Sequence, residues 1–193
     1  MDSSQIRTEA RNLMSNQFGM LVLIMLIYWV MMSAAGSLLF VGYLVVYGPL
    51  SLGLAAILLK VIEGQKIRLE EFFCGFQDFS RSFVLGLLIS LYVFLWSLLL
   101  FIPGIVAAFS YSMAFFILQE NPHLNERQAI EASKQMMNGH KWRLFDLCVS
   151  FLGWFLLCVI SFGIALIYVL PYFHVALAVF YEDLKHSEGV IIQ

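Results

Sequence analysis

The chain has 193 residues, of which 61% are hydrophobic and only 12% are charged, and its formal net charge is −2. Soluble domains carry about 25% charged residues, so this chain has too few to cover its surface against water, and lipid must surround most of it. No basic tract favours nucleic acid as a partner, and the three cysteines lack the CxxC spacing of a metal or redox site and do not favour a disulfide framework.

A polar stretch precedes the first apolar segment. Residues 3–17 place their apolar side chains on one face of a helix, which Ser3 or Ser4 can cap. The apolar run at 19–40 is longer than the roughly 7–15 residues of a signal peptide's core. We therefore interpret this run as a transmembrane helix.

A proline interrupts the second predicted crossing. A turn near Gly42 leads into this segment, residues 43–61, and Pro49 lies within it. Because proline has no N–H, the carbonyl of Val45 loses its helical partner and a kink is expected.

A second amphipathic helix is predicted at 68–79. Its apolar positions follow helical spacing: Leu69, Phe72, Phe73, Phe76 and Phe79. This aromatic face could lie in the lipid interface or pack as core beneath the bundle, and the sequence leaves both arrangements open.

Two further hairpins follow. Their crossings are predicted at 83–102, 105–118, 144–162 and 164–181. Pro103 and Gly104 are expected to form the turn of one hairpin, and Gly163 the turn of the other.

A third amphipathic helix lies between these hairpins. Asn125 can cap its start, with Gln128 placed as in a capping box, and Gly139 suits its end. The positions of its apolar face are Ala129, Ile130, Ser133, Met136 and Met137.

The first and last thirds of the chain align with each other. Residues 9–60 match 131–182 without a gap, so that Pro49 falls on Pro171. The middle third fits at half that offset, with Ser110 in the place of the prolines. This pattern indicates one unit repeated three times.

Each unit comprises an amphipathic interfacial helix and a transmembrane hairpin. The units are predicted at residues 3–62, 65–120 and 124–183. Because each unit crosses the membrane an even number of times, the repeats are parallel and are expected to be arranged by rotation about the membrane normal. We predict an all-α polytopic membrane protein, a single domain of six transmembrane helices over residues 1–193.

The placement of positive charge predicts the orientation. Lys and Arg occur at the N-terminus, within 60–82, within 119–143 and in the tail, whereas the three opposite turns carry none. By the positive-inside rule, both termini and the three amphipathic helices are expected in the cytoplasm. The protein is thus predicted to be a multi-pass protein of the cytoplasmic membrane.

Four residues are candidates for a pathway or ligand site: Pro49, Ser110, Pro171 and His174. Interruptions at matching depth free carbonyls that can line a polar cavity, although proline kinks also occur in helices that transport nothing. His174 could be a proton relay or ligand contact. Alternatively, it could be a neutral imidazole bonded to a carbonyl near the Pro171 kink, such as that of Ile167.

A basic cluster with one aromatic residue begins the fifth crossing: His140, Lys141, Trp142 and Arg143. It could bind anionic lipid headgroups, or it could only anchor the helix end and set topology. Asp146 follows closely and is expected to pair with Lys141 or Arg143.

No catalytic, nucleotide-binding or metal-ligand motif occurs in the sequence. We therefore expect a protein that is not an enzyme and that uses no cofactor and no metal. Its expected partners are membrane lipid and a protein on the cytoplasmic face.

Several segments resemble an uncharacterised integral-membrane family common in Gram-positive bacteria, domain of unknown function 975. The segments are GPLSLGL (48–54), FFCGF (72–76), LWSLLLFIPGI (95–105), SYSMAFFIL (110–118), EASKQMMNGHKWRLF (131–145), SFLGW (150–154) and PYFHVALAVFY (171–181). The general layout also resembles, more loosely, the membrane domain attached to some bacterial glycerophosphodiester phosphodiesterases. The resemblance implies a bacterial cytoplasmic-membrane protein and supplies neither a substrate nor a catalytic residue.

Two functional hypotheses follow from these features. The first is a small transporter or channel-like protein with a central pathway near the four candidate pathway residues. The alternative is a non-enzymatic membrane adaptor or scaffold that binds lipid headgroups or a partner through its cytoplasmic amphipathic helices.

Overall fold

The computed structural model describes residues 2–37, 39–99, 101–161 and 163–188. These residues form helices, and no β-strand occurs among them. The helices of the described chain are α1 (Ser3–Ser15), α2 (Phe18–Ser37), α3 (Leu39–Ile62), α4 (Leu69–Phe72), α5 (Cys74–Gln77), α6 (Phe79–Leu99), α7 (Phe101–Tyr111), α8 (Ala114–Glu120), α9 (Glu126–Met136), α10 (Lys141–Ser150), α11 (Leu152–Ile160) and α12 (Leu166–Glu188).

Six segments of the described chain are long and apolar enough to cross a membrane. They are Phe18–Gly36, Gly42–Ile62, Phe79–Leu98, Ile102–Glu120, Lys141–Ile160 and Leu166–Ser187. The six crossings predicted from the sequence are thereby confirmed as apolar helical segments of membrane length. The chain has the helices of a multi-pass membrane protein.

The second helices of the three hairpins meet at the centre of the bundle. Leu50 and Ile57 of α3, Ile117 of α8, and Val175 and Ala178 of α12 are fully buried in one apolar cluster. Burial on all sides explains why these segments are apolar around their whole circumference rather than along one stripe.

The two ends of the bundle differ in character. The charged end carries α1, α4, α5 and α9, which surround the buried centre. At the opposite end, which we call the turn end, α2, α6 and α11 end and α3, α7 and α12 begin, and the described apolar side chains there are open, as at Ile102, which is 74% exposed. Exposed apolar side chains on membrane-length helices are suited to contact with lipid.

Each amphipathic segment packs against the second helix of another hairpin. The contacts join α1 to α12, α4 and α5 to α3, and α9 to α8. The Tyr172 hydroxyl donates to the Arg7 carbonyl at 3.0 Å, and the Ser133 hydroxyl donates to the Ser110 carbonyl at 2.8 Å. The apolar faces of these segments therefore lie inside the bundle.

The aromatic stripe at 68–79 is divided between core and surface. Phe72 is fully buried, whereas Phe73 is 37% and Phe79 41% exposed. The prediction of one continuous helix is wrong, because α4 and α5 are separated at Phe73. A Cβ atom on Gly53 would lie 1.8 Å from the Phe72 carbonyl oxygen, so this segment follows the α3 backbone closely instead of forming a free helix.

Two predicted turns are wrong. Gly42 lies inside α3, and Pro103 and Gly104 lie inside α7. Proline is tolerated in the first turn of a helix because its missing N–H has no intrahelical partner there. Gly104 instead permits close packing with α6, since a Cβ atom on it would lie 2.2 Å from Ser97 Oγ.

The remaining local signals are mostly confirmed. Asn125 and Gln128 form the capping box of α9, and Gly139 and Gly163 both have positive φ, at 80° and 88°. The cap predicted for α1 is wrong, because Asp2 rather than Ser3 or Ser4 precedes that helix and forms a capping box with Gln5. The fifth crossing is α10 followed by α11, and residue 162, at its predicted end, lies outside the described residues.

Candidate functional site

The fourth crossing is interrupted within the bundle. α7 ends at Tyr111 and α8 begins at Ala114. The Ser110 hydroxyl donates to the Val106 carbonyl at 2.7 Å, and the Ser112 hydroxyl donates to the Phe109 carbonyl at 2.8 Å. Serine hydroxyls that bond the preceding turn compete with the helical backbone and favour a bend. Irregular backbone at membrane depth is tolerated where it is buried in protein or lines a cavity.

A cavity of about 460 Å³ lies beside this interruption, between α3, α6 and the α7–α8 break. Its hydroxyl-bearing residues are Tyr43, Tyr47, Ser90, Ser97, Tyr111 and Ser112. The other lining residues are apolar, and none of the described lining residues is charged. We call this space the hydroxyl cavity.

A close contact between two glycines joins α3 and α6, the two helices that form one side of this cavity. A Cβ atom on Gly86 would lie 2.7 Å from the Gly48 Cα, so the backbones of α6 and α3 touch there. Toward the turn end, the Tyr43 and Tyr47 rings stack with centroids 5.8 Å apart. Both rings line the cavity, opposite Ser90 and Ser97 of α6.

Aromatic contacts fix the cavity wall. Tyr47 packs edge-on against Phe115 at 5.8 Å, and Tyr111 packs against Tyr92 at 5.9 Å. Tyr43 is 38% exposed, so the cavity is open on that side. The arrangement holds several hydroxyl groups in place around one space, and it offers a small molecule hydrogen bonds but no ion pair.

The four candidate pathway residues do not lie around this cavity. Pro49 is buried in α3, where its carbonyl lies against Gly75, and Pro171 is buried in α12. Ser110 is buried and accepts from Ser133 through its carbonyl. The Nδ1 atom of His174 lies 2.9 Å from the Leu170 carbonyl, one residue before the proline, so the expected contact with Ile167 is replaced by this one. A pathway role for these four stays a prediction.

The four residues of the basic cluster point in different directions. His140 is half-buried and precedes α10, and Lys141 lines a groove together with Ser110. Trp142 is 75% exposed and contacts Phe145 at 5.1 Å. Arg143 pairs with Asp183 of α12 at 2.5 Å.

The predicted ion pair of Asp146 with Lys141 or Arg143 is wrong, because it does not occur among the described residues. Arg143 makes its ion pair across the bundle with Asp183 rather than along α10. Asp146 itself is exposed. Within the described residues, no group of three or more His, Cys, Asp or Glu could hold a metal ion.

Sequence reasoning missed the residues of the hydroxyl cavity. A usable signal was present, because Tyr43 and Tyr47 are four residues apart on α3 and Ser90 and Ser97 are seven apart on α6. Each pair shares one face of an otherwise apolar helix. The prolines were more conspicuous, but they are buried in helix contacts.

Comparison with known proteins gives one family and no function. A family model described as "Protein of unknown function (DUF975)" matches residues 1–110 and residues 98–188. No curated protein and no solved structure matches the chain. The looser likeness to glycerophosphodiester phosphodiesterase membrane domains therefore has no support from these comparisons.

Proposed function

This chain belongs to the DUF975 family, whose function is unknown, and we propose that it binds a small uncharged polar solute in the hydroxyl cavity. Binding there is the central step of a transporter or channel-like function. The observation that carries the proposal is the interruption of the fourth crossing at Ser112, directly beside a cavity lined by hydroxyl groups. Interrupted transmembrane helices form the solute sites of many transporters.

The chemistry of the lining favours an uncharged solute. A charged solute in a low-dielectric site needs an opposite charge nearby, and the described lining residues supply none. Tyrosine and serine hydroxyls both donate and accept hydrogen bonds, so they can replace the water around hydroxyl or amide groups of a solute. The cavity volume of about 460 Å³ lies within the usual range for small-molecule sites, about 300–1,000 Å³.

The proposed architecture is three parallel units around an axis along the membrane normal. Its support is the order of the helix contacts. The α4–α5 segment packs on α3 and α9 packs on α8, so each contacts the second helix of the hairpin that precedes it in the chain. α1 packs on α12, the second helix of the last hairpin, and this contact closes the cycle. The positive-inside rule supports a cytoplasmic charged end. In this arrangement the solute site lies off the axis, because the axis is filled by the buried apolar cluster.

The adaptor function has less support. An adaptor of the expected kind would offer apolar helix faces to lipid or to a partner. The faces of α1 and α9 are buried, since Ile6, Ala10 and Met14 of α1 and Ile130 and Met136 of α9 pack within the bundle, and the aromatic stripe at 68–79 is buried in part. We also propose that the protein is not an enzyme.

The test is solute entry into vesicles that contain the purified protein. Light scattering after an osmotic jump would compare uncharged polyols with charged solutes of similar size. We expect faster entry of an uncharged polyol than in protein-free vesicles, with no acceleration for the charged solute. Ser90→Leu fills the cavity and should abolish the acceleration, whereas Ser80→Leu places the same side chain on the exposed start of α6 and should preserve it. Equal entry with and without protein for every solute tested would overturn the proposal.

A further inference from the structure

A second open space runs beside α7 on the side of α9 and α10. This groove has a volume of about 360 Å³. Its walls include Trp96 and the α7 residues Ile102 and Val106, and Lys134 and Lys141 also line it. We call it the lysine groove. It shares only Tyr111 with the described lining of the hydroxyl cavity.

The lining changes from apolar to positive along the length of α7. Ile102 lies at the turn end, Val106 lies one turn further on, and Ser110 follows after another turn. At about 1.5 Å per residue, these positions cover about 12 Å along the bundle. Lys134 is in the last turn of α9 and Lys141 begins α10, so both ammonium groups belong to the charged end.

The two lysines differ in their partners from three other cations of the charged end. Lys60, Arg143 and Lys185 each form an ion pair with a carboxylate. Lys134 and Lys141 form no ion pair or hydrogen bond with any of the residues that the structure describes. Their positive charge is therefore available to a negative group in the groove.

The apolar part of the groove is open to the surroundings. Trp96, Ile102 and Val106 are all exposed on membrane-length helices. An occupant must combine negative charge at one end with an apolar tail that extends toward the turn end. This combination is the chemistry of an anionic phospholipid in the leaflet next to the charged end.

We propose that the lysine groove is a binding site for one anionic phospholipid. Lys134 and Lys141 bind its phosphate, and an acyl chain lies along Val106 and Ile102 beside Trp96. Lys141 is the one member of the sequence-predicted basic cluster that reaches this groove, and Lys134, one helix earlier, was not among the candidates. The site is independent of the hydroxyl cavity, and either assignment can fail without the other.

The fluorescence of Trp96 reports on lipid in the groove. Replacing Trp29, Trp142 and Trp154 with Phe leaves Trp96 as the single tryptophan of the chain. In phosphatidylcholine bilayers, we would measure quenching of its fluorescence by brominated phosphatidylglycerol and, separately, by brominated phosphatidylcholine. Preferential binding of the anionic lipid should give half-maximal quenching at a mole fraction lower by about thirtyfold, if each of the two lysines contributes about 1 kcal/mol, as basic residues near a lipid surface usually do.

A pair of double variants separates this site from diffuse charge. Lys134→Gln/Lys141→Gln should abolish the preference for the anionic lipid, whereas Lys66→Gln/Arg127→Gln removes two exposed positive charges outside the groove and should retain it. Native mass spectrometry of the wild-type protein should show one intact anionic lipid bound, and this reading does not depend on how the variants fold. Equal quenching by the two lipids, equal loss in both double variants, or a protein rather than a lipid in the complex would overturn the proposal.

Discussion

The Ser133 hydroxyl donates a hydrogen bond to the Ser110 carbonyl at 2.8 Å, and both residues are buried. This bond joins α9 to the last turn of α7, directly before the break in the fourth crossing. It supplies a donor to a carbonyl at a point where the helix does not continue. The interruption beside the hydroxyl cavity is thus supported from the amphipathic helix of the next hairpin.

Ser133→Ala should therefore destabilise the fold. The substitution leaves the Ser110 carbonyl buried without this donor, and such a loss costs about 1–3 kcal/mol. Thermal unfolding in a mild detergent would measure it as a lowered midpoint. Ser80→Ala, at an exposed position, serves as the control and should leave the midpoint unchanged; an equal midpoint for Ser133→Ala and wild type would contradict the structural role of the bond.

The contact between Gly48 and Gly86 should not tolerate a larger side chain. A Cβ atom on Gly86 would lie 2.7 Å from the Gly48 Cα and 3.3 Å from Tyr47 Cδ1. Gly86→Ala must push α6 away from α3, and overpacking of this kind costs about 1–3 kcal/mol. We expect a lower unfolding midpoint and, because Tyr47 lines the hydroxyl cavity, a slower entry of polyol into vesicles.

Gly153 offers a matched control for that substitution. It lies in α11, and a Cβ atom there would meet nothing within 4 Å. Gly153→Ala should leave stability unchanged or raise it by about 0.5–1 kcal/mol, since alanine favours helix relative to glycine. If the two alanine variants have the same midpoint, α3 and α6 do not touch as described.

The ion pair between Lys60 and Glu71 should make part of the stability depend on pH. The two groups lie 2.6 Å apart and tie the end of α3 to α4. The hydrogen bond from Lys60 lowers the pKa of Glu71 below its ordinary value of 4.5. A carboxyl group with a lowered pKa in the folded state contributes stability that is complete above its ordinary pKa and is lost as pH falls through the lowered value.

The difference in unfolding midpoint between wild type and Glu71→Gln should follow this dependence. We expect wild type to be the more stable at about pH 7 and the difference to disappear as pH falls through the lowered pKa of Glu71, with a small amplitude because the pair is partly exposed. Glu70→Gln removes a neighbouring charge that makes no ion pair with the described residues and should show no such change. A difference between wild type and Glu71→Gln that stays constant with pH would contradict the role of the pair.

The parts of the fold that the sequence predicts are those decided locally. A membrane-length apolar run is visible in any window of the chain, and the six crossings were found in that way. The capping box of Asn125 and Gln128 involves residues three positions apart. The prediction of a turn at Pro103 is wrong because proline suits the start of a helix as well as a turn. The contact of Gly104 with Ser97 favours the helix, but Ser97 belongs to α6, so no local pattern around Pro103 indicates it.

The candidate sites depend on contacts between elements that are distant in sequence. Tyr43 lies on α3, Ser90 on α6 and Ser112 in the α7–α8 break, and they line one cavity because these distant segments pack together, with α3 and α6 in contact at Gly48 and Gly86. Lys134 and Lys141 are close in sequence, but their relation to Val106 needs the packing of α9 and α10 beside α7. No local pattern in the chain reports these distances.

The orientation of the bundle decides which leaflet the lysine groove faces. The positive-inside rule places the charged end in the cytoplasm, and this can be tested with single cysteines. In a protein whose Cys74, Cys148 and Cys158 are replaced by Ala, Lys66→Cys would report on the charged end and Ile164→Cys on the turn end, and both positions are exposed. We expect a membrane-impermeant maleimide to label Ile164→Cys in intact cells and Lys66→Cys only after the cells are opened. The reverse pattern would place the charged end outside, and the lysine groove would then face the lipids of the outer leaflet.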